Sequence, residues 1–283
     1  MNRASVAARL GGVAPAALIW LCFFALPVGF FLVVSFWRVR AYRLTRDFTI
    51  EQYVKVVTDY GGVLAYTFML AFGIALGATA LGLVVALYIR FRAGRLATIL
   101  LWTVMLTLFG GYLSKIYAWK IILGNDGVLN ASLMGLGIVG APLNALIYSP
   151  GAVAITLVHY LVPVAALPIY GALRGIGDLP FEAARDLGAH PLAAIRDVVL
   201  PQCRAGIATA FAACFFLAAG DYVAPTLVGG TQTSLIGTFI QSQFGHRLDQ
   251  PLGAAMSFTV IGLGLLIVGI ATVVGFRLLR GAR

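Results

Sequence analysis

Long apolar segments, separated by short clusters of charged residues, set the pattern of this chain. Inside a bilayer the backbone must satisfy its hydrogen bonds within its own segment, so an apolar run of about 20 residues predicts a membrane-spanning helix. The six predicted spans are Val13–Trp37, Val63–Ile89, Ala97–Leu113, Ser149–Leu173, Ala205–Val223 and Leu252–Phe276. The expected fold class is therefore all-α, a polytopic integral membrane protein in which residues 1–283 form a single transmembrane domain.

The first apolar run is too long for a cleaved secretory signal. Arg3 and Arg9 precede it, as basic residues precede a signal, but the next charged residue is Arg38. The apolar part of a signal has only about 7–15 residues. We therefore expect this run to be a retained membrane span.

Lysines interrupt the third apolar run. We expect the span to end near Tyr112, with Lys115–Leu123 at the membrane interface. The sequence Gly-Asn-Asp-Gly that follows is a turn signal. The next stretch, Gly127–Tyr148, is rich in Gly, Asn and Pro and is predicted to be an external connection with a short amphipathic segment.

The composition supports a membrane protein, and this affects how its net positive charge is interpreted. Hydrophobic residues make up 61% of the chain and charged residues 11%, with a mean hydropathy of +0.96. That leaves too little polar surface for a soluble globule of 283 residues. The net charge of +10 is then expected in loops beside lipid headgroups rather than against nucleic acid.

The distribution of Lys and Arg between alternate loops favours cytoplasmic N- and C-termini. This topology places twelve basic residues inside and eight outside, in the direction of the positive-inside rule. The eight outside are Arg38, Arg40, Arg43, Arg46, Lys55, Lys115, Lys120 and Arg247. The basic run Arg38–Arg46 lies on the external side and has no assigned role in this pattern.

The polar connection between the fourth and fifth spans, Arg174–Arg204, has helical signals of its own. Asp178-Leu179-Pro180 is a helix start in which Asp178 can act as the cap, and Gly188 is a stop signal. Pro191 then restarts a helical pattern. The sequence predicts a short helix, a tight turn and a second short helix, all cytoplasmic.

The residues of this loop resemble the EAA signature of binding-protein-dependent ABC importer permeases. Glu182-Ala183-Ala184 is followed by Gly188 and then by Val198-Val199-Leu200-Pro201, with Val198 where the signature usually has isoleucine. The resemblance implies a cytoplasmic coupling loop that docks on an ATPase. The implied coupling residues are Glu182, Ala183, Ala184, Gly188, Leu200 and Pro201. In this role Glu182 makes the polar contact, the alanines permit close approach, Gly188 permits the bend and Pro201 fixes the return to the fifth span.

Further short motifs are similar to those of the spermidine/putrescine-type permeases. They are Tyr117-Ala118-Trp119, Gly127-x-x-Asn130, Gly220–Pro225, Leu227–Gly230 and Pro251-x-Gly253-Ala254-Ala255. The resemblance implies a permease of the bacterial inner membrane that carries a small solute, a polyamine among the candidates. It also implies two ATPase subunits, a second and usually different permease subunit, and a periplasmic solute-binding protein as partners.

Other function classes remain open on the sequence alone. The cargo could be iron, a phosphonate or an opine, and the chain could be a secondary transporter, a channel or a membrane-embedded enzyme. No Gly-x-x-x-x-Gly-Lys-Ser/Thr run is present, so ATP hydrolysis is expected in the partner ATPase and this subunit is expected to be non-catalytic, without a cofactor. The spacing of the three cysteines and three histidines predicts no metal site.

Asp221 is the candidate substrate-path residue. It stands at the outer end of the otherwise uncharged run 205–220, where a carboxylate is costly and therefore a functional hypothesis. An interfacial position explains it equally well. Tyr222 beside it fits either the substrate path or the aromatic belt at the membrane surface.

Overall fold

The computed structural model of the chain describes residues 14–40, 43–231 and 233–280. Val13, Arg3 and Arg9, which enter the predictions above, lie outside these ranges, as does Arg283, which is one of the twelve basic residues counted as cytoplasmic. The described part of the chain is mostly helical. Its contacts form two compact units, Met1–Gly61 with Phe239–Thr259, and Gly62–Thr238 with Val260–Arg283.

The first unit begins with helix α1, Ala14–Val34, which contains a π-helical turn at Leu21–Ala25. Two short strands follow, β1 (Arg38–Arg40) and β2 (Arg43–Thr45), paired as an antiparallel hairpin. Helix α2 then starts at Glu51 and ends at Phe91. Its 41 residues give a length of about 60 Å, roughly twice the thickness of the hydrocarbon core.

The third predicted span is a broken one. Helices α3 (Ala97–Phe109) and α4 (Tyr112–Leu123) meet at Gly110-Gly111, where the direction of the chain changes by 90°. The expected end near Tyr112 therefore coincides with the break. The short segment expected in the following connection is helix α5, Val128–Gly135.

Helix α6 (Pro150–Ile176) lies at the centre of the second unit. The Ser149 hydroxyl accepts the Ala152 N–H at 3.1 Å and caps its first turn. Two glycines on neighbouring helices allow close packing against it. A Cβ added at Gly82 would lie 2.6 Å from the Ala165 Cβ, and one added at Gly206 would lie 2.9 Å from the Pro168 carbonyl oxygen.

The connection after α6 differs from its prediction in one respect. Helix α7, Leu179–Asp186, is the expected short helix, but the second helix is not separate from the fifth span. Residues Pro191–Ala219 form one helical run, α8, with a π-helical turn at Ile195–Val199. Because Pro201 has no N–H and its ring clashes with the carbonyl four residues earlier, the widened turn accommodates the proline without ending the helix.

The fifth span is shorter at its outer end than predicted. Helix α8 ends at Ala219, and Asp221 and Tyr222 follow it in irregular backbone before a π-helical turn, Pro225–Gly229. The chain continues as α9 (Ile236–Gly245) and α10 (Gln250–Arg280). Five helices of the described residues are long and apolar enough to cross a membrane, and the bent pair makes six. The predicted fold class is thereby confirmed.

Candidate functional site

Helix α7 carries most of the predicted coupling residues and is bounded by two glycines in left-handed conformation. Gly177 precedes it with φ +74° and Gly188 follows it with φ +86°. This region of φ is open to glycine and strained for most other residues. The sequence pointed to Gly188 alone, since nothing in the local pattern singled out Gly177. The two glycines set the direction in which the chain enters and leaves the helix.

One face of α7 is presented outward. Leu179, Glu182, Ala183, Asp186 and Leu187 recur at the three- and four-residue spacing of a single helix face, and all five are exposed. Leu179 is 77% exposed and Leu187 is 90% exposed. Leucines in such a position, beside a glutamate, are typical of a surface that docks on another protein. We refer to these five residues as the α7 outer face.

The other side of α7 is fixed to the end of α2. Arg90 forms an ion pair with Asp178, and the rings of Phe91 and Phe181 lie 4.8 Å apart. The Arg90 side chain is 19% exposed, so this contact is partly shielded from water. The expectation that the Asp178 side chain caps α7 is wrong, because it makes no capping hydrogen bond and pairs with Arg90 instead.

The six predicted coupling residues do not form one contact surface. Glu182 and Ala183 lie on the α7 outer face, and Ala184 is half-buried behind them. Leu200 and Pro201 are half-buried within the continuous helix α8. Leu200 and Pro201 can therefore affect the shape of helix α8, but they do not belong to the exposed face of α7.

Asp221 holds together the segment that follows α8. Its Oδ1 accepts a hydrogen bond from the Tyr112 hydroxyl at 2.6 Å and from the Val223 N–H at 3.2 Å, and its Oδ2 accepts from the Ala224 N–H at 3.2 Å. The carboxylate therefore caps the turn at residues 223–229 and ties it to the first residue of α4. Tyr222 remains 46% exposed beside it.

Aromatic and polar side chains surround the break between α3 and α4. The rings of Tyr112 and Tyr160 lie 4.6 Å apart, and the Lys115 ammonium lies 5.3 Å from the centre of the Tyr160 ring. The same ammonium donates to the Thr107 carbonyl at the end of α3. Trp119 Nε1 donates to His159 Nδ1 at 3.2 Å. Irregular backbone at membrane depth is tolerated where it is buried in protein or lines a cavity, and a cavity of about 380 Å³ opens at this break.

The sequence did not reveal these pairs. The sequence predicted no metal site at the histidines and placed Lys115 at the membrane interface, but it gave no contacts for His159 or Lys115, because their partners lie on other helices. The pairing of Tyr112 with Asp221 joins residues 109 positions apart. The glycine pair at 110–111 was the one local signal that could have indicated a break in the span.

Residues 78–280 match the family described as "Binding-protein-dependent transport system inner membrane component". The chain belongs to this permease family. It is 32% identical over 236 residues to the "Spermidine/putrescine transport system permease protein PotB" of Escherichia coli (strain K12), covering 79% of this chain and 86% of that protein. Identity to the PotB protein of Haemophilus influenzae (strain ATCC 51907 / DSM 11121 / KW20 / Rd) is 33% over 260 residues, 87% of this chain and 86% of that one.

A solved structure has the same fold as this permease. It is described as "bacterial alginate ABC transporter in complex with alginate pentasaccharide-bound periplasmic protein". The TM-score is 0.74, and the match covers 95% of this chain and 94% of that one at 15% identity. At this identity the likeness shows the fold alone. Together with the family match, it confirms the prediction of an ABC importer permease and its placement in the inner membrane.

Proposed function

We propose that this permease forms part of the translocation path of an ABC importer for a polyamine. The observation that carries the proposal is the similarity to spermidine/putrescine permeases over about four-fifths of the chain. In this proposal a second permease subunit completes the path and a periplasmic binding protein delivers the solute. ATP hydrolysis takes place in two ATPase subunits on the cytoplasmic side.

The α7 outer face is the proposed docking surface for an ATPase subunit. It combines exposed leucines with Glu182, on a helix that is bounded at its two ends by Gly177 and Gly188. Its inner side is attached to α2 through Arg90 and Phe91. A helix held in this way can transmit movement of the ATPase to a membrane helix as a rigid body.

The α3–α4 break can hold an ammonium group, and in this structure Lys115 supplies one. The Lys115 ammonium is accommodated there by the face of the Tyr160 ring and by a main-chain carbonyl. These are the groups with which proteins bind ammonium ions, and the carbonyl end of a broken helix favours positive charge. The Asp221 carboxylate, held by Tyr112, adds a fixed negative charge nearby. Of these groups, the Asp221 carboxylate is the one that would attract an ammonium group of a polyamine.

Asp221→Asn is expected to reduce uptake of spermidine by about tenfold, since a fixed charge in a partly dehydrated site attracts a cation strongly. Asparagine caps a helix as well as aspartate does. The substitution removes the charge and keeps one acceptor oxygen for the cap, and it loses a hydrogen bond at the position of the other oxygen. ATP-dependent uptake in vesicles that contain the whole complex is the measurement.

The matched control for this experiment is Asp126→Asn, which removes an exposed carboxylate beyond the end of α4. It is expected to leave uptake unchanged. Normal uptake by Asp221→Asn, at equal amounts of assembled complex, would contradict the substrate-path role and leave Asp221 as a cap. Absence of polyamine uptake by the wild-type complex would contradict the polyamine assignment.

The proposed orientation places both termini and α7 in the cytoplasm, and cysteine labelling tests it. In the permease expressed without its ATPase subunits, Leu187→Cys is expected to react with a membrane-impermeant maleimide in inside-out vesicles and not in intact spheroplasts, because Leu187 is 90% exposed. Phe48→Cys, at a residue 76% exposed in the predicted external loop, is the control with the opposite pattern. Cys22 is replaced by alanine in both variants, since it is exposed, whereas Cys203 and Cys214 are buried. Labelling of Leu187→Cys from the outside would reverse the orientation.

A further inference from the structure

The side chain of Lys115 occupies a site made of groups that bind ammonium ions. Lys115 lies in the first turn of α4, just beyond the Gly110-Gly111 break, and its ammonium lies 5.3 Å from the centre of the Tyr160 ring. The same ammonium donates to the Thr107 carbonyl in the last turn of α3. The face of an aromatic ring and the carbonyl end of a helix both attract positive charge. They would attract an ammonium group of another molecule in the same way.

The contacts that hold Lys115 in this site are ones that another cation can replace. Within the described ranges its ammonium forms no ion pair with a carboxylate, which would hold it more firmly than a ring face and a carbonyl do. The Lys115 side chain also lines the cavity of about 380 Å³ at the break. A lysine has a flexible four-carbon stem, so its ammonium can move into this space while the helices stay in place.

One tyrosine connects the Lys115 site to the carboxylate of the proposed substrate path. The Tyr112 hydroxyl donates to Asp221 at 2.6 Å, and the Tyr112 ring lies 4.6 Å from the Tyr160 ring. Tyr112 therefore contacts the carboxylate with its hydroxyl and the ammonium site with its ring. A polyamine carries more than one ammonium group. A cargo with one ammonium at Asp221 thus has another to place at the face of Tyr160.

We propose that Lys115 occupies this ammonium site in the absence of cargo and is displaced from it by an ammonium group of the cargo. The proposal rests on the polyamine cargo given in the proposed function. While Lys115 is in place, its positive charge repels other cations, and in a partly dehydrated site this repulsion is strong. The cargo must compete with Lys115 for the ring and the carbonyl. It therefore binds here more weakly than the ring and the carbonyl alone would allow.

The test measures equilibrium binding of radiolabelled spermidine to the whole complex in lipid nanodiscs, without binding protein and without ATP. Lys115→Met removes the ammonium and keeps an unbranched side chain. We expect it to lower the dissociation constant for spermidine about tenfold, because the competing cation is gone. Lys115→Gln, which is also neutral, is expected to give the same gain. Lys115→Arg is expected to give none, since a guanidinium can occupy the same site.

The direction of the change separates this role from a structural one. If Lys115 only fastened α4 to the end of α3, its removal would loosen the break and weaken the binding of spermidine. A second substitution shows whether the tighter binding takes place at the same site. Tyr160→Leu removes the ring face, so the gain is expected to disappear in the double variant Lys115→Met with Tyr160→Leu. Lys120→Met is the matched control, because it removes another half-buried lysine of α4. It is expected to leave the dissociation constant unchanged.

An unchanged or higher dissociation constant in both neutral variants of Lys115 would overturn the proposal for this lysine. A gain that persists without the Tyr160 ring would place the cargo elsewhere and would also overturn it. Neutral variants that bind no spermidine, in a complex that still imports it with its binding protein, would overturn the displacement of Lys115 and leave the polyamine assignment intact. A wild-type complex that imports no polyamine would overturn the proposed function and this proposal with it.

Discussion

Gly188→Asp is expected to reduce ATP-driven uptake by at least about tenfold while the permease still inserts into the membrane. Gly188 follows the α7 outer face directly, and a Cβ added there would meet no atom within 4 Å. The side chain therefore has room in the free permease, and the left-handed backbone at φ +86° is the one source of strain there. Its charge would be buried against the ATPase on docking, where an unpaired carboxylate costs several kcal/mol. The measurements are uptake and copurification of the ATPase subunits.

Two further substitutions at Gly188 separate charge from backbone strain. Asparagine has nearly the shape of aspartate and is tolerated in the left-handed region, so Gly188→Asn is expected to retain most of the uptake. Gly188→Val is expected to lose it, because a β-branched residue is strongly disfavoured at φ +86°. If Gly188→Asp transports normally and retains the ATPase, this turn has no docking role. If Gly188→Asn fails as severely as Gly188→Asp, the charge is not the cause.

Local signals in the sequence were sufficient to predict the membrane spans and α7. Apolar runs bounded by charged residues located the six spans, because the bilayer requires each one to be a helix. The Leu-Pro dipeptide at 179–180 and the glycine at 188 likewise predicted where α7 begins and ends. These features depend on a few neighbouring residues, which is why they can be recognised without a structure.

Side-chain contacts between residues far apart in the sequence were not predicted, or were predicted wrongly. Asp178 has the sequence position of a helix cap, but a guanidinium 88 residues earlier in the chain competes for its carboxylate and binds it. Asp221 was recognised as an unusual charge near the end of a span. Its contact with Tyr112, however, depends on the 90° break at Gly110-Gly111, which brings the start of α4 to it.

Pro201 lies inside a continuous helix, whereas the sequence indicated that it stands where a loop ends. Pro201 was expected to mark the point where the coupling loop rejoins the fifth span, and the helix instead continues through it by means of the π-helical turn at Ile195–Val199. Helix α1 has the same feature. Its π-helical turn at Leu21–Ala25 includes the residue four positions before Pro27, whose carbonyl would otherwise clash with the proline ring. Propensity alone disfavours a proline inside a helix, and a widened turn removes the clash that causes this.

The contact between Arg90 and Asp178 predicts that ATP-driven uptake is sensitive to charge at the end of α2. Arg90→Glu is expected to lower uptake by about tenfold, because it places a second negative charge against Asp178 and loosens α7 from α2. Asp178→Arg is expected to act similarly through two facing guanidinium groups. The charge-swapped double variant, Arg90→Glu with Asp178→Arg, is expected to recover uptake to within about threefold of the wild type, since the ion pair is partly shielded and can form in either direction.

Arg92→Glu is the matched control for this series, because it makes the same change of charge two residues away on an exposed side chain. It is expected to retain most of the uptake. The recovery in the double variant is the decisive result, since a general sensitivity of this region to substitution would make the two single effects add. Additive losses would show that Arg90 and Asp178 act independently, and would contradict the transmission of ATPase movement from α7 to α2 through their contact.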